Sequence, residues 1–271
     1  MSHKCQSVLC TSRGRRIAEL ATVSADLPHG DRIPEHSHPE DQLLFASRGV
    51  MTLQTAQGTW VVPPMRAVWI PANTPHSVAI SGIVHMRTLY LHPGLCRQLP
   101  RKCAVIPVSP LLRELVLRAC THAKLRKEVS VERRILECIV DQLQAVESIP
   151  LQLPHVSDPR ARRIVESLSA NPSDPRTLAA LCKACGASKR TIQRLFLEET
   201  RMTFNRWRQQ LRLLHALQLL ASGEKVTVAA LDSGYHSASA FIATFRKQLG
   251  ATPARYLRTT SINTSPRPLA S

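Results

Sequence analysis

Residues Leu178–Phe196 read LAALCKACGASKRTIQRLF, which predicts two short helices joined by a tight turn. The first half repeats apolar residues at spacings of three and four, the pattern of one buried helix face. These residues are Leu178, Leu181, Cys182 and Cys185. Gly186 permits the turn because it has no Cβ. Ser188 is a suitable N-cap for the second helix.

The second helix of this stretch has two different faces. Its apolar face contains Ile192, Leu195 and Phe196. Its polar face contains Lys189, Arg190, Gln193 and Arg194. A glycine turn followed by a helix with outward basic and amide groups has the form of a DNA-reading helix-turn-helix. An ordinary helical hairpin with a solvated basic face fits the same residues, and this segment alone leaves both interpretations open.

The charge of the chain indicates the kind of partner. Its 271 residues are enough for two domains, and 44% hydrophobic with 20% charged residues is typical of a globular protein. The formal net charge is +17, and residues 156–271 hold 18 Lys and Arg against 7 Asp and Glu. This surplus around the predicted helix-turn-helix favours a polyanionic partner, with nucleic acid first and an anionic membrane surface second.

Neither a leader nor a membrane helix is expected. The first residues, MSHKCQSVLC, lack the apolar core of a secretory signal, and no stretch approaches the ~20 apolar residues of a membrane helix. We therefore expect a cytoplasmic protein with no membrane partner. The eight cysteines are irregularly spaced, which predicts reduced thiols. Cys182 and Cys185 form a CxxC pair, but their apolar face predicts packing thiols rather than zinc ligands.

The amino-terminal half has the sequence pattern of a β-protein. A strand is expected near Ile17–Val23, and short apolar runs separated by glycines and prolines follow from Gly30 onward. These runs are Leu43–Ser47, Val50–Thr55, Thr59–Val62, Ala67–Ile70, Ser77–Ile80 and Ile83–Leu91. Many short strands at close spacing predict an all-β sandwich or barrel.

Three histidines and one amide fall within this predicted barrel. His36 and His38 form an HxH pair, and Gln42 follows four positions later. His76 precedes a later strand. Two imidazoles from one strand, a third from a strand across the barrel and one oxygen ligand can form an interior metal site.

The spacing resembles the first motif of the cupin family, which is HxH, three or four residues, Glu, six residues and Gly. His36, His38, position 42 and Gly49 fit it, and His76 fits the histidine of the second cupin motif. The chain departs from the family at Gln42, because a neutral amide is a weaker cation ligand than the usual carboxylate. Three interpretations stay open: a divalent metal held by the three histidines, a metal-free small-molecule pocket that includes Gln42, and structural histidines.

From Ser109 the apolar period becomes helical, with one helix around Leu111–Leu117 and another at Val131–Val146. The second helix has an apolar stripe at Ile135, Leu136, Ile139, Val140 and Leu143. The stripe fits either packing against the barrel or a contact in a homodimer. Residues 148–160 contain three prolines and no periodicity, which predicts a linker between two domains.

The helix-turn-helix pattern recurs near the carboxyl end. The spacing of the first apolar face recurs at Val226, Ala229, Ala230 and Ser233. Gly234 then permits a turn, and a helix with Phe241 and Phe245 inside follows. Between the two motifs a long helix is expected at 204–221, which is ~27 Å at 1.5 Å per residue. It could hold two recognition helices roughly one DNA turn apart, ~34 Å.

The stretch GYHSASAFIATFRKQLGATPARYLR, Gly234–Arg258, resembles the signature of the AraC/XylS family of bacterial transcription regulators. The resemblance covers about residues 160–258, and the cupin-like front half extends it over nearly the whole chain. Arg201 departs from the glycine that the family commonly has before the long helix. The resemblance implies an N-terminal all-β cupin-like barrel with trailing helices, followed by an all-α domain with two helix-turn-helix motifs joined by a long helix.

We expect a sensor barrel at 1–105, a helical linker or dimerisation region at 106–147, a DNA-binding domain at 158–258 and a flexible tail at 259–271. The helix-turn-helix motifs are expected at 177–197 and 226–247. The family implies double-stranded DNA, a small-molecule or metal effector and RNA polymerase as partners, and a homodimer.

The family pattern also implies which side chains contact DNA. Arg190, Gln193 and Arg194 would point into the major groove, where arginine pairs with guanine and glutamine with adenine for ~1–3 kcal/mol of discrimination each. The second recognition helix offers mostly smaller side chains, and one arginine, for phosphates and thymine methyls. They are His236, Ser237, Ser239, Thr244 and Arg246. Further candidate phosphate anchors are Lys189, Arg206 and Arg208.

Two classes of function compete. One is a transcription regulator whose barrel binds an effector. The other is a metal-dependent cupin enzyme with an accessory DNA-binding domain. Gln42 argues against the enzyme, and so does the lack of a nucleophile–base or acidic pair near the barrel motif. The sequence therefore favours the regulator and predicts no catalytic residues.

Overall fold

The computed structural model describes the backbone of residues 20–144 and 151–258, with side chains at 20–143 and 151–256. These residues belong to two compact units, Met1–Leu153 and Pro154–Ser271. Parts of three expectations lie outside the described residues: the start of the strand at Ile17–Val23, the end of the helix at Val146, and the tail at 259–271.

The first unit contains two antiparallel sheets, which confirms the expected all-β fold. Its strands are β1 (Leu20–Leu27), β2 (Arg32–His36), β3 (Asp41–Ala46), β4 (Val50–Thr55), β5 (Gly58–Val62), β6 (Arg66–Ile70), β7 (His76–Ser81), β8 (Val84–Leu91), β9 (Ala104–Pro107), β10 (Lys124–Leu125) and β11 (Gln152–Pro154). One sheet has the order β10-β1-β8-β3-β6-β9 and the other β11-β5-β4-β7-β2. The second sheet pairs β2 with β7, so that His36 lies opposite His76.

Four of these strands were not expected from the sequence. β2 is polar and contains Pro34, so it lacks the apolar alternation of a strand. β9 crosses the expected domain boundary at residue 105, and β10 has two residues. β11 lies within the predicted linker at 148–160, and the boundary between the two units, after Leu153, falls in the same range. Its proline is tolerated because β11 is an edge strand.

Two helices, α1 (Pro110–Ala119) and α2 (Ser130–Gln144), belong to the core of the first unit. Leu112 of α1 and Leu136 of α2 are buried in the same cluster as the strand residues Leu43 and Trp69. Ile139 also belongs to this cluster. Leu136 and Ile139 of the α2 stripe therefore pack against the unit's own sheet, whereas Ile135 and Val140 are only partly buried.

The second unit is helical, and it confirms two helix-turn-helix motifs joined by a long helix. Its helices are α3 (Pro159–Ala170), α4 (Leu178–Cys185), α5 (Lys189–Thr200), α6 (Phe204–Ala221), α7 (Val226–Asp232), α8 (Ala238–Leu249) and α9 (Pro253–Arg258). Among the described residues, no helix has both the length and the apolar run that crossing a bilayer requires.

Hydroxyl caps and left-handed residues set the helix bounds of the first motif. Thr177 and Ser188 begin α4 and α5, and the hydroxyl of Ser188 accepts a hydrogen bond from the Thr191 amide at 3.0 Å. Gly186 ends α4 at φ 68°. Arg201 ends α5 at φ 58°, where a side chain costs about 1–2 kcal/mol. The bend before α6 is therefore kept without the glycine that the family commonly has.

The core of the second unit forms around three aromatic rings. The centroid of Phe196 lies 5.2 Å from that of Phe204 and 5.4 Å from that of Trp207. Cys182 and Cys185 are 3% and 6% exposed, which confirms the prediction that they pack as buried thiols. Burial raises the pKa of Cys182, so the thiol form is favoured over the thiolate that a metal would need.

Candidate DNA interface and histidine cluster

The first recognition helix, α5, presents its predicted DNA-contacting side chains to solvent. Lys189, Arg190, Gln193 and Arg194 are all exposed. Ile192 on the opposite face is fully buried. Arg194 Nη1 lies 3.6 Å from Glu198 Oε1, and both side chains are more than half exposed. Such a surface pair is worth about 0.3–0.5 kcal/mol, so Arg194 can leave it for a base at low cost.

The second recognition helix, α8, offers smaller and partly committed groups. His236, Ser239 and Arg246 are exposed, whereas Thr244 is half-buried. The Ser237 hydroxyl is the N-cap of α8 and accepts a hydrogen bond from the Ala240 amide at 3.2 Å. The Ser237 O–H proton is not used by that bond and can still be donated to a phosphate.

A cleft of about 700 Å³ lies between the two helix-turn-helix motifs, with α6 contributing its floor. Residues of both recognition segments and of α6 line it, and five of them were predicted DNA contacts: Lys189, Gln193, Arg208, His236 and Thr244. The remaining predicted contacts, Arg190, Arg194, Arg206, Ser237, Ser239 and Arg246, do not line it. Of these, Arg190 and Arg194 belong to α5 and are exposed outside the cleft.

Sequence reasoning missed several polar residues that line this cleft. They are Arg176, Asn205, Gln209, Arg212 and Tyr235. Arg176 precedes α4, and Tyr235 lies in the turn before α8. The side chain at 212 lies on α6 one helical turn after Arg208, and that spacing was a signal for a shared face.

Two arginines of α6 hold the loop between α3 and α4. Arg208 donates hydrogen bonds to the backbone carbonyls of Asp174 and Arg176, the latter at 2.7 Å. Arg212 donates to the carbonyls of Pro172 and Asp174, each at 3.2 Å. Arg208 was expected to anchor a DNA phosphate; its Nη1 and Nη2 donate inside the unit, whereas its Nε has no partner among the described residues. The Asp174 carboxylate is 4% exposed and pairs with Arg176.

Gly234 allows Arg212 to approach the second motif. A Cβ at this position would lie 2.8 Å from Arg212 Cζ and 2.9 Å from its Nε. The backbone of Gly234 also has φ +81°, in the region that favours glycine. Arg212 therefore contacts the loop before the first motif and the turn of the second motif at once.

In the first unit, the three predicted histidines converge. The rings of His36 and His76 have centroids 4.3 Å apart, and His38 lies 6.0 Å from the former and 5.3 Å from the latter. One ring nitrogen from each histidine lies within 4.8 Å of the others. The register of β2 against β7 accounts for one side of this cluster, because it places His36 opposite His76.

Backbone carbonyls orient all three rings. The Nδ1 atoms of His36, His38 and His76 each lie 2.8 Å from a carbonyl oxygen, those of Pro34, Glu40 and Thr74. A proton on Nδ1 satisfies each carbonyl and leaves Nε2 as the lone-pair nitrogen, which is how metal-binding histidines are commonly oriented. His76 Nε2 is buried and has no hydrogen-bond partner among the described residues.

Burial keeps part of this cluster neutral. It lowers the pKa of His76 to about 4 and lowers the pKa of His36, although a hydrogen bond to a carbonyl opposes the shift in each. Both imidazoles are therefore neutral at neutral pH, and each retains one lone pair that a cation can bind.

Gln42 faces the cluster as a fourth donor. Its Oε1 lies 3.1 Å from His38 Nε2, and its amide nitrogen donates to Thr88 Oγ1 at 3.2 Å. This contact is a hydrogen bond when His38 Nε2 carries a proton and donates to Gln42 Oε1, and its length is also close to the separation of two ligand atoms about 2.1 Å from a shared metal. The donor set of three imidazoles and one amide oxygen therefore fits a divalent transition metal. Asp41 does not join it in this arrangement, because its Oδ1 accepts from the Ala72 amide at 2.9 Å.

Two family profiles match the chain. The profile described as "AraC-like ligand binding domain" matches residues 21–204, and the one described as "Helix-turn-helix domain" matches residues 181–259. The HTH-type transcriptional regulator NimR of Escherichia coli (strain K12) is 35% identical over 224 residues, which are 83% of this chain and 82% of that protein. The HTH-type transcriptional regulator RipA of Corynebacterium glutamicum is 34% identical over 41% of this chain and 32% of its own length.

Solved structures also resemble the chain. ToxT from Vibrio cholerae, bound to an unsaturated fatty acid, aligns over 90% of this chain and 97% of its own, with 14% identity and a TM-score of 0.37. The DNA-binding domain of AdpA, in complex with a target DNA, aligns over 38% of this chain and 93% of its own, with 31% identity and a TM-score of 0.36.

Proposed function

Because the chain belongs to the AraC/XylS family of DNA-binding transcription regulators, we propose that its histidine cluster binds the effector, and that this effector is a divalent transition-metal ion. The observation that carries the proposal is the convergence of one ring nitrogen from each of three histidines within 4.8 Å. Carbonyls fix their Nδ1 protons, and His76 Nε2 is buried without a partner in the described part of the chain. Iron, nickel, copper and zinc are the ions that imidazole ligands suit.

Metal titration of the full chain tests this proposal. We expect one equivalent of Zn²⁺ to bind the parent, and a His36→Ala variant to bind at least about tenfold more weakly because one ligand is lost. His85→Ala is the matched control, since His85 is also half-buried but lies on β8 outside the cluster. Equal binding by all three proteins, or no binding by the parent, would contradict a metal site and leave the metal-free pocket.

We propose that metal binding at the histidine cluster changes how the two helix-turn-helix motifs bind DNA. A ligand shifts an equilibrium only by its differential affinity for two states. Footprinting on the protein's own upstream region, with and without the metal, measures that difference. An identical footprint in both conditions would refute control by the metal even if the metal binds.

We propose that Arg190, Gln193 and Arg194 read bases, and that the second motif mainly contacts the DNA backbone. Arg194→Ala should lose sequence preference, whereas Arg246→Ala should weaken specific and random duplexes alike and reduce the salt slope by about one charge. Glu198→Ala is a useful control, because it removes the partner of Arg194 and leaves the guanidinium in place. If Arg194→Ala keeps the parent's ratio of specific to random binding, the assignment is wrong.

Four further statements belong to the same proposal. A regulator without enzymatic activity fits relatives that are named transcriptional regulators. A chromosomal DNA target implies work in the cytoplasm, and transcription control implies RNA polymerase as a partner. A homodimer is also proposed, and sedimentation of the full chain measures it. Its contact must use a surface other than the buried side of α2, where Leu136 and Ile139 belong to the core.

A further inference from the structure

The cleft between the two helix-turn-helix motifs is strongly cationic. Arg176, Lys189, Arg208 and Arg212 line it, and none of its lining residues is acidic. Asp174 is buried, is not among the lining residues, and pairs with Arg176 through its carboxylate. Cations that outnumber carboxylates in a concave surface attract an anion, because low-dielectric walls focus their field.

Two residues that line this cleft each have a buried hydrogen-bond donor without a partner among the described residues. Tyr235 Oη and Arg208 Nε are buried, and neither bonds to any residue that the structure describes. Burial raises the pKa of Tyr235 to about 12, so the hydroxyl keeps its proton at neutral pH. Buried donors are nearly always satisfied by protein, water or ligand, so two such atoms in one lining indicate a missing acceptor.

The cationic lining is also fixed in place. Arg208 and Arg212 each donate to two backbone carbonyls, and the Arg212 guanidinium packs against Gly234. Little side-chain entropy is therefore lost when an anion enters, which favours binding by a preorganised site.

We propose that this cleft binds a phosphate group through Tyr235 Oη and Arg208 Nε, and that the phosphate belongs to the DNA backbone between the two major-groove sites. A phosphate offers several acceptor oxygens and the negative charge that the lining complements. When α5 and α8 enter successive major grooves, the backbone of the intervening minor groove passes in front of α6. A free phosphate ion has the same chemistry and is the alternative source.

The test variant is Tyr235→Phe in the full chain. It removes only the hydroxyl and keeps the ring, whose centroid lies 5.1 Å from that of Phe241. Affinity for a footprinted duplex and for a random duplex of equal length should both fall at least about tenfold, which corresponds to 1.4 kcal/mol. The salt slope should stay the same because tyrosine is neutral. Thermal stability should not fall, since an unsatisfied buried group has been removed.

Tyr256→Phe is the matched control, because Tyr256 is a buried tyrosine of the same unit outside the cleft lining. It should bind both duplexes like the parent. If Tyr235→Phe also binds both duplexes and inorganic phosphate like the parent, the phosphate site is refuted. The inference rests on DNA binding by both motifs, but Tyr235→Phe must preserve sequence preference whereas Arg194→Ala must lose it, so the two proposals fail separately.

Neutral methylphosphonate linkages identify the source of the phosphate. One linkage between the two major-groove sites should weaken the parent at least about tenfold and weaken Tyr235→Phe less, because that variant has already lost the hydroxyl contact but keeps Arg208 Nε. The assignment to the DNA backbone would be overturned by the following result. The parent binds inorganic phosphate saturably, Tyr235→Phe abolishes that binding, and no methylphosphonate linkage affects the parent and the variant differently.

Discussion

Replacing Gly234 by alanine tests how Arg212 connects the two helix-turn-helix motifs. The new Cβ would lie 2.8 Å from Arg212 Cζ and 2.9 Å from Nε and Nη2, closer than nonbonded atoms can approach. The guanidinium is the end of a long side chain and can move. Moving it breaks its hydrogen bonds to the carbonyls of Pro172 and Asp174.

The expected loss of stability has two parts. A side chain at φ +81° costs about 1–2 kcal/mol, and a less flexible unfolded chain offsets about 0.4–1 kcal/mol of it. The two displaced hydrogen bonds of Arg212 contribute about 0.5–1.5 kcal/mol each. Gly234→Ala should therefore destabilise the second unit by about 1–4.5 kcal/mol.

The chain supplies a matched control for the backbone part. Gly250 has nearly the same φ, +79°, but a Cβ there would meet no atom within 4 Å. Gly250→Ala should therefore cost only about 1 kcal/mol. Amide hydrogen exchange of α6, followed by mass spectrometry on the full chain, reports the stability of this unit without assuming two-state unfolding of two domains.

A thermodynamic cycle isolates the proposed cause. In an Arg212→Met background, the excess cost of Gly234→Ala over Gly250→Ala should disappear, because the displaced guanidinium is no longer present. If the two glycine variants cost the same within about 0.5 kcal/mol, or if the excess persists without Arg212, the reasoning is refuted.

Three further predictions concern single side chains of the second unit. Burial lowers the pKa of His215 despite the opposing charge of Asp232, so the unfolded chain binds more protons than the folded chain as pH falls through about 6.5. The free energy of unfolding should therefore be highest above that pH and fall below it. In urea unfolding at pH 7 and pH 5, His215→Gln should flatten this dependence. Cys182→Ser should cost about 1–3 kcal/mol in the same assay because it buries a hydroxyl, whereas the exposed Cys138→Ser should stay within about 0.5 kcal/mol. Ser188→Ala removes the N-cap of α5 and should cost about 1 kcal/mol, seen as faster amide exchange in that helix; unchanged exchange would contradict the capping role.

Elements with strong local signals were predictable from the sequence. The bounds of α6 match the expected helix, because apolar spacing, the Thr203 cap and the following Gly223 agree with one another. The bounds of β4 match for the same reason. β2 and β11 were missed because both are short edge strands that contain proline, and pairing rather than apolar pattern holds them in place.

The site was predictable only where its residues follow a local spacing. The histidine cluster was expected from His36, His38 and His76, and the exposed residues of α5 followed from helical periodicity. Tyr235 and Arg212 were missed as members of a cleft, because three separate segments must fold together before they share one surface. Arg208 was expected at a phosphate for its charge, yet charge alone does not reveal that backbone carbonyls accept its protons.

Gln42 bears on whether the barrel senses or catalyses. A carboxylate at this position would neutralise part of a divalent charge and strengthen binding, whereas the amide leaves a site of neutral ligands. A sensor works when its dissociation constant lies near the effector concentration that it must report, because a permanently filled site cannot shift between states. The low pKa of His76 prevents protons from competing at neutral pH, so affinity there depends on the ion and its ligands. A Gln42→Glu variant should therefore bind Zn²⁺ more tightly than the parent and respond to chelators less readily. Equal affinity in a titration would show that Gln42 Oε1 is not a ligand, and would leave its contact with His38 as a structural one.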